Sequence, residues 1–543
     1  METTNAPATL PARPQQPLHE YLRAHARERP GHPACIWYGA ALSWAELDAA
    51  SDAFGARLQA LGVGKGDPVM LFLNNCPQYI VAHYGIQKIG AIVCPSGPLN
   101  KEHELAYQAN DLKARVIVAA ANLVPVVDKV KPQSALEHVF AVHYADLLPA
   151  EPALDLPAEL AAARSEARTV PSGCEDFLAV MRSGARPAPV DLSLDDVALM
   201  TYTSGTTGLP KGAMLTYGNA LFKTTVAADC NGVQPEDVLL SVAPLYHIAG
   251  MLMGVNVPVI TGATGVLLHR FDPRAVLQAI DRYKVTWWYS IAPMNVACMQ
   301  QPDIAGFDLS SLKMNPVTSF GIAFTESLAQ QWRAFAKNST SQEAAYGLSE
   351  THTCDTYTPA GRARWGTQGI PAPGVTIRII DPDTGKEVPT GELGEIVLTS
   401  PGVFKGYWNK PEATAATLQG GWVHTGDMGR FDADGYLTFT GRFKEMIKVS
   451  GYSVFPEEVE SILIRHPAVA QAAVIAQPDP DKGEVVKAFI VKKPGAEVTA
   501  EEITAWSREN MATYKAPRHV RFIDALPATG AGKVLRRMLK DTE

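Results

Sequence analysis

Residues Thr201 to Gly212 read Thr-Tyr-Thr-Ser-Gly-Thr-Thr-Gly-Leu-Pro-Lys-Gly and follow the apolar run Val197-Ala198-Leu199-Met200, which has the character of a buried strand end. The string has the composition of a phosphate cradle. Gly205 and Gly208 let the backbone turn tightly and aim N–H groups inward, Thr203, Ser204, Thr206 and Thr207 add hydroxyls, and Lys211 adds a cation. A polyanion needs that many donors at once. The Walker pattern is excluded, because it places Ser or Thr directly after Gly-Lys, whereas Lys211 follows Pro210 and precedes Gly212. Taken alone, the string also reads as a Gly/Thr surface loop.

The string resembles the phosphate-binding signature of the adenylate-forming enzymes, which include acyl-CoA synthetases, adenylation domains of peptide synthetases and beetle luciferases. Further strings resemble that family in its own order. Tyr346-Gly347-Leu348-Ser349-Glu350-Thr351 is similar to its Tyr-Gly-x-Thr-Glu motif. The resemblance implies that Glu350 binds Mg²⁺, a hard ion suited to carboxylate and phosphate oxygens, that Ser349 supplies a hydroxyl near the α-phosphate, and that Tyr346 and Gly347 lie against adenine. Thr425-Gly426-Asp427 with Gly441-Arg442 resembles the ribose-binding pair, in which Asp427 accepts both ribose hydroxyls with the two oxygens of one carboxylate. On their own, Ser349-Glu350 reads as a helix-capping pair and Asp427 as a turn residue.

The stretch from Gly441 to Gly451 resembles the family's junction between a large and a small domain. It implies a hinge at Lys444, with Lys448 and Gly451 on the thioester-forming face, where Gly451 leaves room for a pantetheine arm. Pro527-Ala528-Thr529-Gly530-Ala531-Gly532-Lys533 resembles the C-terminal catalytic-lysine motif, with Ala528 in place of its common basic residue; Lys533 is implied to bridge the acid and the α-phosphate. Pro244 to Gly250 resembles the segment whose His247 gates the acyl pocket and orients the carboxylate. Ser319-Phe320-Gly321-Ile322-Ala323-Phe324 stands where the family has a small-residue stretch lining adenine and acyl group; Gly321 is implied to touch the nucleotide, and Phe320 fills volume, which predicts a short or compact acid. His352, with Thr353 and Cys354, is expected in or near that pocket, which makes a hydroxylated acid conceivable. Read without the family, Lys444 is a charged linker residue, Lys533 a solvated lysine and His247 a core histidine.

The resemblance covers roughly Leu18 to the C-terminus. It implies an AMP-forming carboxylic acid:CoA ligase that uses ATP, Mg²⁺ and CoA. Three other readings share parts of this set: a ligase that loads a carrier protein, a luciferase-like oxygenase and a non-catalytic nucleotide sensor. The uninterrupted run from Arg442 to Glu460 shows no insertion obstructing rotation, and no carrier domain follows Glu543.

Positioning these residues takes an α/β chain. Helices are expected over Leu18 to Glu28, Ser43 to Leu61, Gln78 to Ile89, Lys101 to Ala109, Asn219 to Ala228 and Pro273 to Tyr283, alternating with strands at Ala34 to Tyr38, Asp67 to Leu73, Ala91 to Cys94, Ala114 to Ala119, Val238 to Val242 and Val285 to Tyr289. Such alternation predicts helix-covered parallel sheets. Pro149 to Asp191 reads as a loose connection with a helix or two. From Thr384 to Glu460 short strands such as Gly394 to Thr399 and Gly435 to Thr440 predict a β-rich part, and helices Pro456 to Ile464 and Ala500 to Asn510 with strands Gln471 to Ala476 and Val485 to Val491 predict a small α+β unit. The expected division is 1–442 for the adenylating domain and 443–543 for a mobile C-terminal domain.

At 543 residues, 46% hydrophobic and net charge -8, the chain is too long for one core and is not a general binder of nucleic acid or anionic membrane. Its seven cysteines form no C-x-x-C pair and read as reduced thiols. Gly250 to Leu268 is apolar but broken by Gly254, Asn256, Pro258, Gly262 and Gly265, so it reads as buried core and no integral membrane segment is expected. The polar N-terminus lacks a secretory pattern and the last residues are no peroxisomal address, so a cytoplasmic protein is expected.

Overall fold

The computed structural model describes residues 13–203, 209–302, 306–319, 323–337, 339–449, 452–480, 482–528 and 534–540. Strands rich in Val, Ile and Leu form two sheets that are parallel but for one edge pair each. In the first, Pro68–Phe72, Ile92–Pro95, Val116–Ala120, His138–Val142, Glu175–Asp176 and Val197–Thr203 run parallel, and Lys211–Thr216 closes the edge antiparallel to Val197–Thr203. In the second, Pro33–Trp37, Thr264–Leu267, Val238–Ser241, Trp287–Trp288, Met314–Thr318, Ser290–Ile291 and Thr340–Glu343 are parallel, and Ala40–Ser43 is the antiparallel edge. Near-continuous apolar strands of this kind need cover on both faces. A core shared by the two sheets covers one face, running from Val69 and Val116 in the first to Leu239 and Val266 in the second, and a separate core with Met70, Ile117 and Val139 covers the other face of the first sheet. Helix Pro77–Lys88 is buried at every residue, which accounts for its lack of an amphipathic pattern.

The expected helices form, several of them capped from their own sequence. Ser43 and Glu46 make a reciprocal capping box before Trp44–Ala60, and Asp272 caps Pro273–Tyr283. The apolar run after His247 is a bent helical stretch, Ile248–Met251, a π-helical segment Leu252–Asn256 and Val257–Thr261, followed by strand Thr264–Leu267. Pro258 cannot donate to the preceding turn, which fits the widened segment just before it. The connection before the cradle carries helices Ala158–Ser165 and Phe177–Met181.

Around the cradle string one strand extends to Thr203 and an antiparallel one begins at Lys211, and these two residues are cross-strand partners; Ser204 to Gly208 lie outside the described residues. One local expectation differs from the structure. The predicted strand Val285 to Tyr289 is shorter, Trp287–Trp288, with Ser290–Ile291 pairing farther along Met314–Thr318.

Beyond the two sheets, Thr376–Ile380, Gly394–Thr399, Leu418–Gln419, Trp422–Phe431 and Leu437–Arg442 make an antiparallel sheet. The turn Phe443–Glu445 leads from it into the last sheet, built from Ile447–Val449, Tyr452–Val454, Val469–Asp479, Gly483–Lys492 and His519–Phe522. Helices Pro456–Leu463 and Ala500–Asn510 belong to this unit, and its separate core holds Ile447, Val459, Val474, Ile490 and Ile503. The fold is therefore α/β, with a large N-terminal part and a smaller C-terminal one.

Candidate functional site

The hairpin stem of the cradle is anchored from the side. The Tyr202 hydroxyl donates to Asp111 Oδ2 at 2.7 Å, and the Tyr107 hydroxyl donates to the Pro210 carbonyl at 2.8 Å. Along the outer edge of Lys211–Thr216 lies a segment that the motif search passed over, Phe404-Lys405-Gly406-Tyr407-Trp408. It pairs by backbone bonds: Met214 N–H to Gly406 O at 3.0 Å, Lys405 N–H to Met214 O at 2.9 Å and Trp408 N–H to Gly212 O at 2.8 Å. The unpaired strand edge is thereby covered.

That pairing fixes the phosphate end of the site. Lys211 Nζ sits 4.3 Å from the centroid of the Tyr407 ring, and the Tyr407 hydroxyl donates to Glu350 Oε1 at 2.6 Å. Burial, reinforced by the Glu350 carboxylate, raises the Tyr407 phenol above its usual range, so it stays an O–H donor at neutral pH. The Glu350 carbonyl accepts from Phe404 N–H at 2.8 Å, so backbone and side chain of Glu350 are both tied to the same segment. Residues 57 positions apart in sequence thus form one line of cation, ring, hydroxyl and carboxylate.

Loop geometry sets Glu350 there. Ser349–Thr351 is a single tight turn followed by His352, Thr353 and Cys354 at φ of +59°, +59° and +54°, an arrangement strained for residues with side chains. Gly347 permits the fold-back, since a Cβ there would lie 2.5 Å from Cys354 N. A buried ion pair holds the loop from below: Lys223 Nζ, on helix Tyr217–Cys230, is 2.5 Å from Asp355 Oδ1, both side chains are 0% exposed, and Lys223 also donates to the Cys354 carbonyl at 3.1 Å. Thr351 donates its hydroxyl to the other Asp355 oxygen. Removing one partner leaves an uncompensated buried charge, so Lys223→Met is expected to cost about 3–5 kcal/mol of unfolding free energy in denaturant titrations. Lys223→Met combined with Asp355→Leu should recover a large part of that loss. A loss below about 1 kcal/mol for the single variant would contradict this role.

At the nucleotide end, strand pairing joins residues that sequence spacing keeps apart. Asp427 and Arg442 are direct cross-strand partners, with Arg442 Nε 3.1 Å from Asp427 Oδ1, and the Tyr346 hydroxyl donates to Asp427 Oδ2 at 2.7 Å. Phe439 stacks near Tyr346, centroids 6.1 Å apart and planes at 30°. Asp427 is 3% exposed and Tyr346 is 8% exposed. The motif beginning at Tyr346 therefore bridges the two ends: Tyr346 reaches the ribose candidates and Glu350 reaches the Lys211 strand.

His247 is exposed at the start of Ile248–Met251. Its turn is tight, and Gly250 is required there because a Cβ would lie 2.0 Å from the Pro244 carbonyl oxygen. His352 is fully buried and its pKa falls to about 4, from burial first and then from Lys223. Lys444 is exposed in the turn Phe443–Glu445, and Lys448 is exposed on Ile447–Val449, its backbone N–H bonded to Glu484 at 2.7 Å. Thr203 is the last paired residue of its strand, opposite Lys211. Ser204, Gly205, Thr206, Thr207, Gly208, Phe320, Gly321, Gly451 and Lys533 lie outside the described residues.

Among the described residues no group of three or more His, Cys, Asp or Glu gathers as a metal cage. Glu350 beside the Lys211 cradle is a donor set suited to Mg²⁺ all the same, because that ion is held by one or two carboxylates together with substrate phosphate oxygens. No helix among the described residues is long and apolar enough to cross a membrane.

Comparison with known proteins identifies the family. Residues 22–408 match the family model of the AMP-binding enzymes, and residues 458–533 match that of the AMP-binding enzyme C-terminal domain. The chain is 33% identical over 552 residues to a long-chain-fatty-acid–CoA ligase of Bacillus subtilis, covering 99% of this chain and 96% of that protein. It is 35% identical over 528 residues to a feruloyl-CoA synthase of Amycolatopsis, covering 96% and 98%. Among solved structures, the anthranilate CoA ligase AuaEII in complex with anthranoyl-AMP superposes with a TM-score of 0.85 at 28% identity, with 97% of each chain covered. The length of these matches places the chain in the AMP-binding enzyme family.

Proposed function

We propose that this enzyme is an AMP-forming carboxylic acid:CoA ligase that acts on a compact acid. The observation that carries the reading is the double span of one loop, with Tyr346 bonded to Asp427 and Glu350 bonded to Tyr407 beneath Lys211. A nucleoside triphosphate laid along that loop meets a carboxylate at its ribose end and cations with hydroxyls at its phosphate end. In the first step a carboxylate oxygen of the acid attacks the α-phosphorus and pyrophosphate leaves; in the second the CoA thiolate attacks the acyl carbon and AMP leaves.

The division of labour follows from charge. Lys211 and the hydroxyls of the cradle neutralise the β- and γ-phosphates as they become pyrophosphate. Glu350 would hold Mg²⁺, which when bound spreads the phosphate charge and orients the leaving group. Asp427, released from Tyr346 or sharing it, would accept from the ribose hydroxyls, with Arg442 paired to its carboxylate. Lys533 would bridge acid and α-phosphate, Ser349 and Gly321 would line the nucleotide, and His247 would orient the acid. Rotation at Lys444 would then bring Lys448 and Gly451 to the thioester step. Glu445, beside Lys444, is bound by Arg536 at 2.5 Å, which ties the turn to the C-terminal helix Arg536–Lys540. The boundary we assign, 442/443, falls in this turn. By the family resemblance, Phe320 would limit the room beyond the acyl carbon.

Mass spectrometry of products from ATP, Mg²⁺ and a panel of acids, with and without CoA, tests the reading. Acyl-AMP is expected without CoA and acyl-CoA with it, with acids of three to six carbons ahead of palmitate and cinnamate in kcat/KM. Acyl-AMP that persists in the presence of CoA for every acid would remove the ligase reading, and faster turnover of palmitate would remove the compact-acid part alone.

A further inference from the structure

Among the described residues one buried carboxyl stands apart from the pairs that the mechanism uses. Glu343 ends the strand Thr340–Glu343 and is 8% exposed, opposite Val317 of Met314–Thr318. Its two oxygens accept from the backbone N–H of Ser319 at 3.0 Å and from the Ser319 hydroxyl at 2.5 Å. Ser319 Oγ in turn accepts from Phe324 N–H at 2.9 Å. Next to it the Tyr289 hydroxyl meets Thr318 Oγ1 at 3.1 Å. Tyr289, Thr318, Ser319 and Glu343 therefore make a polar patch at the carboxyl ends of adjacent parallel strands, the end at which open α/β sheets bind their ligands.

Two features give this patch a direction. Glu343 is three residues before Tyr346, whose hydroxyl reaches Asp427, so the same chain segment runs from the patch into the nucleotide end of the site. Among the described residues no Lys, Arg or His pairs with Glu343, and a carboxylate with two occupied acceptor positions still has lone pairs to satisfy. Burying such a group without a cation is costly, and its pKa is pushed up to about 7 by burial in spite of the two bonds from Ser319. A carboxyl retained at that cost has a use when a donor arrives with the ligand.

We propose that Glu343 is a specificity-determining residue, which accepts a hydrogen bond from a hydroxyl or amino substituent on the acid and rejects acids with a second carboxylate. This rests on the ligase reading above and adds the chemical class of the acid. A neutral apolar acid adds no donor to the patch, a hydroxyl or amino substituent adds one to a free lone pair of Glu343, and a dicarboxylate sets like charges together.

The test compares kcat/KM of the full-length enzyme for matched acids: benzoate with its ortho, meta and para hydroxy and amino derivatives, butyrate with γ-hydroxybutyrate, and butyrate with succinate. The wild type is expected to favour at least one donor-bearing acid over its parent by about tenfold or more, and to disfavour succinate by a similar factor. Glu343→Gln should bring both ratios to within about threefold of unity. Glu343→Asp should keep the rejection of succinate and weaken the preference for donors. Parent acids that match or outrun every derivative in the wild type, or ratios unchanged in the glutamine variant, overturn the proposal, and the wild-type ratios decide the matter where a variant does not fold. Normal turnover with flat ratios removes this inference alone, whereas absence of acyl-AMP with every acid removes the ligase reading and this inference with it.

Discussion

Replacing Glu350 by glutamine is expected to slow acyl-AMP formation by about a hundredfold to a thousandfold, measured as acid-dependent exchange between ATP and pyrophosphate. The glutamine preserves shape and still accepts from the Tyr407 hydroxyl, so the loop Ser349–Thr351 keeps its place; what is lost is the negative charge that would hold the cation against the phosphates. The Mg²⁺ concentration giving half-maximal rate should rise in the same variant. Tyr407→Phe is the companion: it removes the hydroxyl donated to Glu350 and leaves the ring under Lys211, so a loss of about tenfold is expected, at unchanged stability within about 1 kcal/mol. A loss below about tenfold for Glu350→Gln, with the same Mg²⁺ dependence as the wild type, would show that the cation is held elsewhere.

The second large effect is a split between half-reactions. Lys533→Ala is expected to lower acyl-AMP formation by about a hundredfold or more while the transfer of supplied acyl-AMP to CoA changes less than about threefold. The lysine cation is needed where two anions are forced together, in the attack of the acid on the α-phosphate. In the thioester step the acyl phosphate is already formed and the nucleophile comes from another side. Equal losses in both steps, read by single-turnover assays of each, would assign Lys533 a structural or general binding role.

Much of this was legible in the chain before its coordinates. The strands and helices of the two parallel sheets are marked by apolar runs and capping residues such as Ser43, Thr216 and Asp272, whose effects are local. The motifs at Lys211, Glu350, Asp427 and Arg442 are each short enough to be read as strings. What brings them together is not local. Asp427 and Arg442 meet through strand register, which spacing alone does not reveal. Tyr407 was missed because Gly406-Tyr407-Trp408 looks like an aromatic turn, and its role appears only when the segment pairs with the Lys211 strand. The hairpin around the cradle was hidden by its glycines and threonines, which read as loop. Lys223 occupies a helix whose other buried positions are uncharged, and nothing in the sequence distinguishes a buried, paired lysine from a solvated one until Asp355 is seen beneath it. The same holds for Glu343, which the structure buries against Ser319 at the end of its strand.

The central claim is that this site joins an acid to the α-phosphate of ATP before the thioester forms, and oxygen tracing tests it most directly. With acid labelled by ¹⁸O in both carboxylate oxygens, ATP, Mg²⁺ and CoA, the products after full turnover should be AMP carrying one labelled oxygen, acyl-CoA retaining the other in its carbonyl, and unlabelled pyrophosphate. Label in inorganic phosphate released together with ADP, or AMP free of label beside labelled acyl-CoA, would contradict it.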